Sequence, residues 1–311
     1  MTENKNIRNL ILVQKDGRPS MKNTYSKMKS GNLLIRRKLP NVMYYRLYKN
    51  NNSAQLEKVK IPDLSGVSVM IRWGSQEEIN IPKSCIVYNN SKALRNVSNK
   101  AESRKIMAAA GVNVPLNVTN QTPKGDIVYP VIARPHHHSK GKNFVTLKTY
   151  QEFINHYNPN SWYYSNFIDK VKEFRVHAFM SKCLNLLEKP NPGPGYIAWN
   201  RAQNHEAFTN VKWDDYNMNV VIEAFKACKA LGADFSGVDV LLDANGKAWV
   251  LECNSSPTLN SSEYSCSRYA KAFDWLFRSN VRREHWDFTQ FKKAKSLAWK
   301  DFQLDDIAVT E

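Results

Sequence analysis

Carboxylates are scarce in this chain: 28 Asp+Glu stand against 45 Lys+Arg, a formal net charge of +17 over 311 residues. The shortage is sharpest at the start, where residues 1–60 hold three acids and 14 bases. A basic surface of this kind suits an anionic partner (nucleotide phosphates, nucleic acid or an acidic polypeptide) or is simply a solvated face. Long apolar runs are missing too. Without 18 consecutive apolar residues, no membrane-spanning helix is expected. The first 20 residues carry Lys5, Arg8, Lys15 and Arg18 but no apolar centre, so no secretory signal is expected. Cysteine is sparse. Cys85, Cys183, Cys228, Cys253 and Cys266 lie far apart without paired spacing, which fits reduced thiols in a cytoplasmic protein and argues against a zinc site. There is no internal repeat, and the length leaves room for two or three packed units.

What is present centres on residues 237–257. Asn245-Gly246 between two apolar-alternating runs predicts a hairpin with a two-residue turn. That turn sets Ala244 opposite Lys247, Leu242 opposite Trp249 and Asp239 opposite Glu252. Alternation then puts Val238, Val240, Leu242, Trp249, Leu251 and Cys253 on a core face, and Asp239, Glu252 and Asn254 on the other. Opposed carboxylates repel. Either a divalent cation compensates them, since Mg²⁺ favours one or two carboxylates plus phosphates, or the pair is only the wet face of the ribbon.

Upstream, Leu10–Val13 reads as an edge strand or arm, and residues 67–73 as a strand that leaves Arg72 near a carboxyl end, facing a ligand or solvent. Tyr44, Tyr45 and Tyr48 lie among cations and either stack on bases or join a core. A helix runs from Ser98 to Ala110, capped by Ser98 or Asn99 and closed by Gly111. Residues 128–133 predict a strand that runs into Arg134 and the loop His136-His-His-Ser-Lys-Gly-Lys142, which suits phosphate better than metal because neighbouring loop histidines diverge. Further strands cover 161–168 and 173–180. In the latter Glu173, Arg175 and His177 share one face, with a Glu173–Arg175 ion pair as one option. Lys189 opens a Pro/Gly surface loop, and Tyr196 to Asn200 resumes the sheet. Asp215 to Leu231 reads as an amphipathic helix, and residues 262–303 as a helical covering layer.

Taken in order, these pieces resemble the ATP-grasp superfamily, including ligases of the RimK and glutathione synthetase kinds, over about residues 95–260. The carriers are Lys100 in its helix, Pro130–Pro135 with the Ser139-Lys-Gly loop, Ser165–Ile168, Glu173–Arg175, Gly237–Asp239 and Leu251–Pro257. Arg134 stands where Lys is usual, and the two cations are not interchangeable. The resemblance implies an α/β (α+β) fold. It would have a small N-terminal α/β domain (1–95), two ATP-grasp subdomains (96–165 and 166–260) and a helical C-terminal segment (261–311). It implies ATP and Mg²⁺ as cofactors. Lys100, Arg134, Ser139, Lys140, Gly141, Asn166, Phe167, Ile168 and Glu173 would hold the nucleotide, and Asp239, Glu252 and Asn254 the metal. Arg175, Lys189 and Asn200 would serve the reacting groups. The implied activity is ATP-dependent carboxylate–amine ligation through an acyl phosphate, with a small molecule, peptide or acidic polymer as substrate. A phosphotransferase acting on a hydroxyl, or a nucleic-acid-binding protein with an idle nucleotide site, are the alternatives. Cys253, on the core face, is not expected to be a nucleophile.

Overall fold

Runs of β-branched and aromatic residues near the start build a parallel sheet. The computed structural model of the chain describes residues 9–14, 24, 42–46, 67–74, 81, 83–136, 144–180, 182–193, 197, 199, 208–212, 215–259 and 263–279. Its first strands are β1 (Asn9–Gln14), β2 (Val42–Arg46), β3 (Val67–Trp73) and β4 (Ile86–Tyr88), in the order β2-β1-β3-β4 and parallel throughout. β1 pairs on both sides, so the run Leu10–Val13 is an interior strand and not an edge. An unbroken apolar run is what a strand covered on both faces requires. Tyr44 and Tyr45 are strand residues of β2, while Tyr48 lies outside the described residues. Arg72 is only 1% exposed, and its Nη1 donates to Ser91 Oγ. It therefore braces the next helix and is neither a surface cation nor a residue facing an open ligand edge.

That helix, α1 (Ser91–Ser98), is followed at once by α2 (Lys100–Ala109). The break falls at Asn99, which is extended and whose side chain accepts from Glu102 N at 3.2 Å, an N-cap that starts α2 at Lys100. Gly111 just beyond α2 has φ +73°, open only to residues that tolerate the left-handed region. A small antiparallel sheet follows in the order β6-β5-β7, made of β5 (Val131–Pro135), β6 (Val145–Leu147) and β7 (Trp162–Asn166). Helix α3 (Tyr150–His156) lies between β6 and β7 in sequence, and Phe153 enters the core with Val131, Ala133 and Tyr164.

The largest sheet has the order β10-β9-β8-β11-β12, antiparallel, from β8 (Lys170–Phe179), β9 (Lys182–Lys189), β10 (Thr209–Asn210), β11 (Phe235–Asp243) and β12 (Ala248–Asn254). Phe174, Val176 and Ala178 of β8 face one way, and with Val238 and Val240 they form a core against helix α4 (Met218–Leu231). Each fully buried apolar side chain there contributes about 1.5–3 kcal/mol. α4 starts later than its amphipathic pattern suggested because the Asn217 side chain accepts from Asn219 N and Val220 N. The last described helix, α5 (Glu263–Ser279), is not a covering layer. Tyr269, Ala270, Ala272, Phe273 and Leu276 are at most 1% exposed and join Leu12, Ile71 and Trp73 of the parallel sheet to Phe179 and Phe235 of the large one. No helix among the described residues is long and apolar enough to cross a membrane.

The hairpin differs from its expected register. Asp243 N donates to Lys247 O, and Asp243 Oδ1 accepts from Asn245 N and Lys247 N at 2.9 Å each, so the loop has three residues with Gly246 at φ +74°. Leu241 therefore faces Trp249, and Leu242 faces Ala248. An irregularity between Asp239 and Val240 then inserts Leu251 as an extra residue and restores Asp239 opposite Glu252. Ala248 and Val250 take the core places expected of Trp249 and Leu251. Trp249 turns to the other face, where its Nε1 donates to Asp243 Oδ2 at 2.9 Å.

Candidate active site

Two rungs of the large sheet carry the charged groups. One runs Arg175, Asp239, Glu252 across β8, β11 and β12; the next runs Lys189, Glu173, Leu241, Trp249 from β9 to β12. Side chains on neighbouring rungs two residues apart share a face, so all of these look away from the α4 core. Arg175 donates to both oxygens of Asp239, through Nε and through Nη2 at 3.0 Å. Lys189 Nζ reaches Asp239 Oδ2 at 3.0 Å and also bonds Glu173. Glu173 takes a second ammonium from Lys170 and does not pair with Arg175. On the outer strand, Lys100 Nζ donates to Glu252 Oε2 at 2.6 Å, and Asn254 Nδ2 donates to Glu252 Oε1 at 3.2 Å.

Burial alone would raise the Asp239 carboxyl, but the Arg175 and Lys189 charges outweigh it and hold the group well below the usual carboxylate range. Glu252 is lowered for the same reason, with Lys100 as its main counter-charge. Lys189 is 4% exposed. Burial would lower its ammonium, but Asp239 and Glu173 keep it above its ordinary value. It ends β9 and is no part of a surface loop. The acids are thus ionised and already carry cations. Lys100, Lys170, Arg175 and Lys189 against Glu173, Asp239 and Glu252 leave one positive charge in excess, the sign that favours a polyphosphate.

The small sheet supplies the other wall. Arg134 at the end of β5 donates through Nη1 to Ser165 Oγ at 3.2 Å. Ser165 leads into Asn166, Phe167 and Ile168, which join the two sheets. Asn166 N donates to Leu116 O and Phe167 N to Pro130 O, so this link is held firmly. His136 bonds Pro159 O through Nε2 at 2.8 Å. No group of three or more His, Cys, Asp or Glu suited to a metal exists among the described residues. His137, His138, Ser139, Lys140, Gly141 and Asn200 lie outside the described residues. Cys253 is on the core face, its thiol pushed well above the ordinary value by a hydrogen bond with Cys228 and by burial.

Two opposed carboxylates and an amide oxygen are hard donors of the kind Mg²⁺ takes. Because Asn254 commits its Nδ2 to Glu252 and Gly237 O, its Oδ1 is the end left to face a cation. The residues present therefore fit magnesium with a nucleotide. Three further residues share this surface without a motif to announce them: Lys170, Trp249 and Arg104. Arg104 sits one turn after Lys100 on α2, and i, i+4 spacing is the only signal that reaches it.

A close approach holds the site at Gly237. A Cβ there would come within 2.6 Å of Pro257 Cβ and 3.2 Å of Arg175 Cδ. Gly237→Ala is expected to cost about 1–3 kcal/mol and to displace Arg175 from Asp239. A fall in the urea midpoint at unchanged m-value would report it, and an unchanged midpoint would contradict it.

No family model matches the chain, and no curated protein matches it in sequence. Solved structures do match. An ATP-grasp ligase associated with ribosomally synthesised peptides (RiPPs) from Chryseobacterium gregarium, in complex with ADP and a leader and core peptide, aligns with TM-score 0.58 at 14% identity, over 90% of this chain and 99% of that one. The ATP-grasp ligase PsnB, complexed with minimal precursor, Mg and ADP, gives 0.56 at 13%, over 89% and 99%. D-alanine–D-alanine ligase from Bacillus anthracis gives 0.54 at 17%, over 86% and 96%. Two antiparallel sheets linked at Asn166–Ile168 and three alignments spanning most of each chain agree on one architecture: this chain has the ATP-grasp fold.

Proposed function

We propose that the chain is an ATP-dependent ligase that joins a carboxylate to an amine through an acyl phosphate, releasing ADP and phosphate. One observation carries this reading: Asp239 and Glu252 face each other on β11 and β12, ionised, with Lys100, Arg175 and Lys189 on their oxygens. Asp239, Glu252 and Asn254 would hold magnesium, which would supply positive charge at the phosphates. Lys100, Lys189 and Arg134 would grip phosphate oxygens, and Glu173 would take the ribose hydroxyls. Arg175, with Asn200, would orient the carboxylate to be activated. Ser139, Lys140 and Gly141 would cover the phosphates. Positioning and electrostatics supply most of the rate in such transfers, so no protein nucleophile is required. The unit over 1–95 and helix α5 would shape the acceptor pocket.

PsnB is also matched in complex with a precursor peptide, the Chryseobacterium ligase holds a leader and core peptide, and the third enzyme joins D-alanine, so both substrate sizes belong in the test. Purified full-length chain with Mg²⁺ and ATP is expected to release ADP only when a carboxylate and an amine are both supplied, from a panel of amino acids and acidic peptides. The product mass should equal the sum of the substrates less water. Phosphate found on a hydroxyl acceptor, or ADP release indifferent to the amine, would overturn the ligase assignment.

A further inference from the structure

Alternation alone would turn Lys170 away from Glu173, because side chains three apart on a strand point to opposite faces. A bulge in β8 reverses this. Lys172 pairs with Leu242 of β11 and Lys170 with Asp243, so Val171 is an extra residue. Lys170 thereby comes to the face of Glu173 and Leu241, and its ammonium bonds Glu173. The extra residue is left outside, with Val171 50% exposed. An exposed apolar residue and an interrupted ladder are both unfavourable, and bulges beside active sites commonly serve to re-aim one side chain.

The Lys170 side chain is 7% exposed. Burial lowers its ammonium, Glu173 opposes that, and the Lys189 and Arg134 charges add to it. Lys170 Nζ stands 4.7 Å from the centre of the Trp199 ring, itself 7% exposed. The face of an indole attracts a cation, most strongly where water is excluded. Trp199 thus favours the charged form of a lysine that burial would discharge. Phe208 takes a similar place beside Lys189, 5.7 Å from its Nζ.

These contacts join five groups of alternating charge: Lys170, Glu173, Lys189, Asp239 and Arg175. Lys189 is the middle member and is shared: its Nζ lies 3.0 Å from Asp239 Oδ2 and also bonds Glu173 Oε1. How it is shared depends on the negative charge that each acid presents. Arg175 offsets Asp239 from one end, and Lys170 offsets Glu173 from the other. With the Lys170 ammonium removed or displaced, Glu173 would draw Lys189 to itself.

Resting on the nucleotide reading above, we propose that Lys170 and Trp199 are positioning residues: the ring holds the Lys170 ammonium on Glu173, and this keeps Lys189 placed for phosphate. Both act through Glu173.

Calorimetry on full-length chain with Mg²⁺ tests this through the ratio of ADP affinity to adenosine affinity, which isolates the phosphate contacts. Trp199→Leu is expected to lower the ratio about 5-fold or more, and Trp199→Phe, which keeps a ring face, to restore most of it. Lys170→Met should lower it at least as far. Adding Trp199→Leu to Lys170→Met should lower it no further, because the ring acts only through the ammonium. Lys172→Met removes the same charge from the opposite face, beside Leu242, and should leave the ratio unchanged. An unchanged ratio in Trp199→Leu or Lys170→Met, an equal fall in Lys172→Met, or a further fall in the double variant would overturn the inference while the nucleotide reading stands. If Trp199→Leu does not fold, Lys170→Met against Lys172→Met decides. An unsubstituted chain that binds ADP no tighter than adenosine would overturn the phosphate assignment and the inference with it.

Discussion

Glu252→Gln is expected to stop ATP turnover and leave stability almost untouched, whereas Asp239→Asn stops turnover and also destabilises the fold. The contrast follows from burial. The Glu252 side chain is 26% exposed and its one ion partner, Lys100, is 28% exposed. Exposed or half-exposed pairs contribute about 0–1 kcal/mol. Asp239 has a side chain 5% exposed and holds Arg175 and Lys189, themselves 14% and 4% exposed. Neutralising it leaves two buried cations short of a counter-charge, and breaking such a cluster costs about 3–5 kcal/mol. Lys189 keeps Glu173, which places the loss toward the lower end. For turnover the two substitutions should agree. Each removes a hard oxygen donor where charge develops, a loss of about 10²–10³-fold or more. Urea denaturation and ADP release on the same preparations separate the two effects. Full Mg-ATP activity in Glu252→Gln would remove the metal assignment. Equal stabilities of the two variants would mean that the Arg175–Asp239–Lys189 cluster contributes less than its burial implies.

Much of the fold could be read from residues 95–260, because there the pattern is dense: Asn99 caps α2, Gly111 ends it, and strict alternation in β8 separates Phe174, Val176 and Ala178 from Glu173, Arg175 and His177. The opposition of Asp239 and Glu252 was expected from a two-residue turn, yet it arises differently. Asp243 caps the backbone of a three-residue loop, and the extra Leu251 takes back the one-residue slip. A dipeptide such as Asn245-Gly246 announces a turn but not the side chain that will satisfy its N–H groups, and bulges leave no composition signature. Long-range placement was the other gap. α2 offers Lys100 and Arg104 on one face, but only the packing of α2 beside Tyr163 and Asn166 tells that Arg104 lines a cavity. α5 read as a covering layer because its partners, Trp73 and Phe179, lie far away in the chain. The basic run in residues 1–60 suggested nucleic acid, and of it the structure describes β1, β2 and Thr24.

Acid should weaken this protein well above the range where carboxylates titrate, and His177 is the reason. Its ring is 1% exposed; Nδ1 lies 3.1 Å from Tyr269 Oη, and Nε2 meets no partner among the described residues. Burial chiefly, and then the Arg175 charge, push its imidazole down to about 3 in spite of Asp239. In the unfolded chain the same group titrates near ~6.5. Between those values the unfolded state binds a proton that the native state refuses, so unfolding is favoured as pH falls and stability rises with pH. The slope approaches about 1.4 kcal/mol per pH unit below ~6.5, or roughly 2–3 kcal/mol between pH 6.5 and pH 4.5. The depressed Asp239 and Glu252 carboxyls act with the same sign. Their contribution is complete above the ordinary carboxylate range and is lost as pH falls through it toward their lowered values, so it adds to the histidine's slope only at the acid end of this window. Urea denaturation at several pH values should show the slope in the unsubstituted chain. His177→Gln, which keeps a partner for Tyr269 but cannot titrate, should flatten it. A flat profile in the unsubstituted chain, or an equal slope in the variant, would show that His177 takes up its proton inside the fold, with the ring less shut off by Tyr269 and Arg175 than its surroundings indicate.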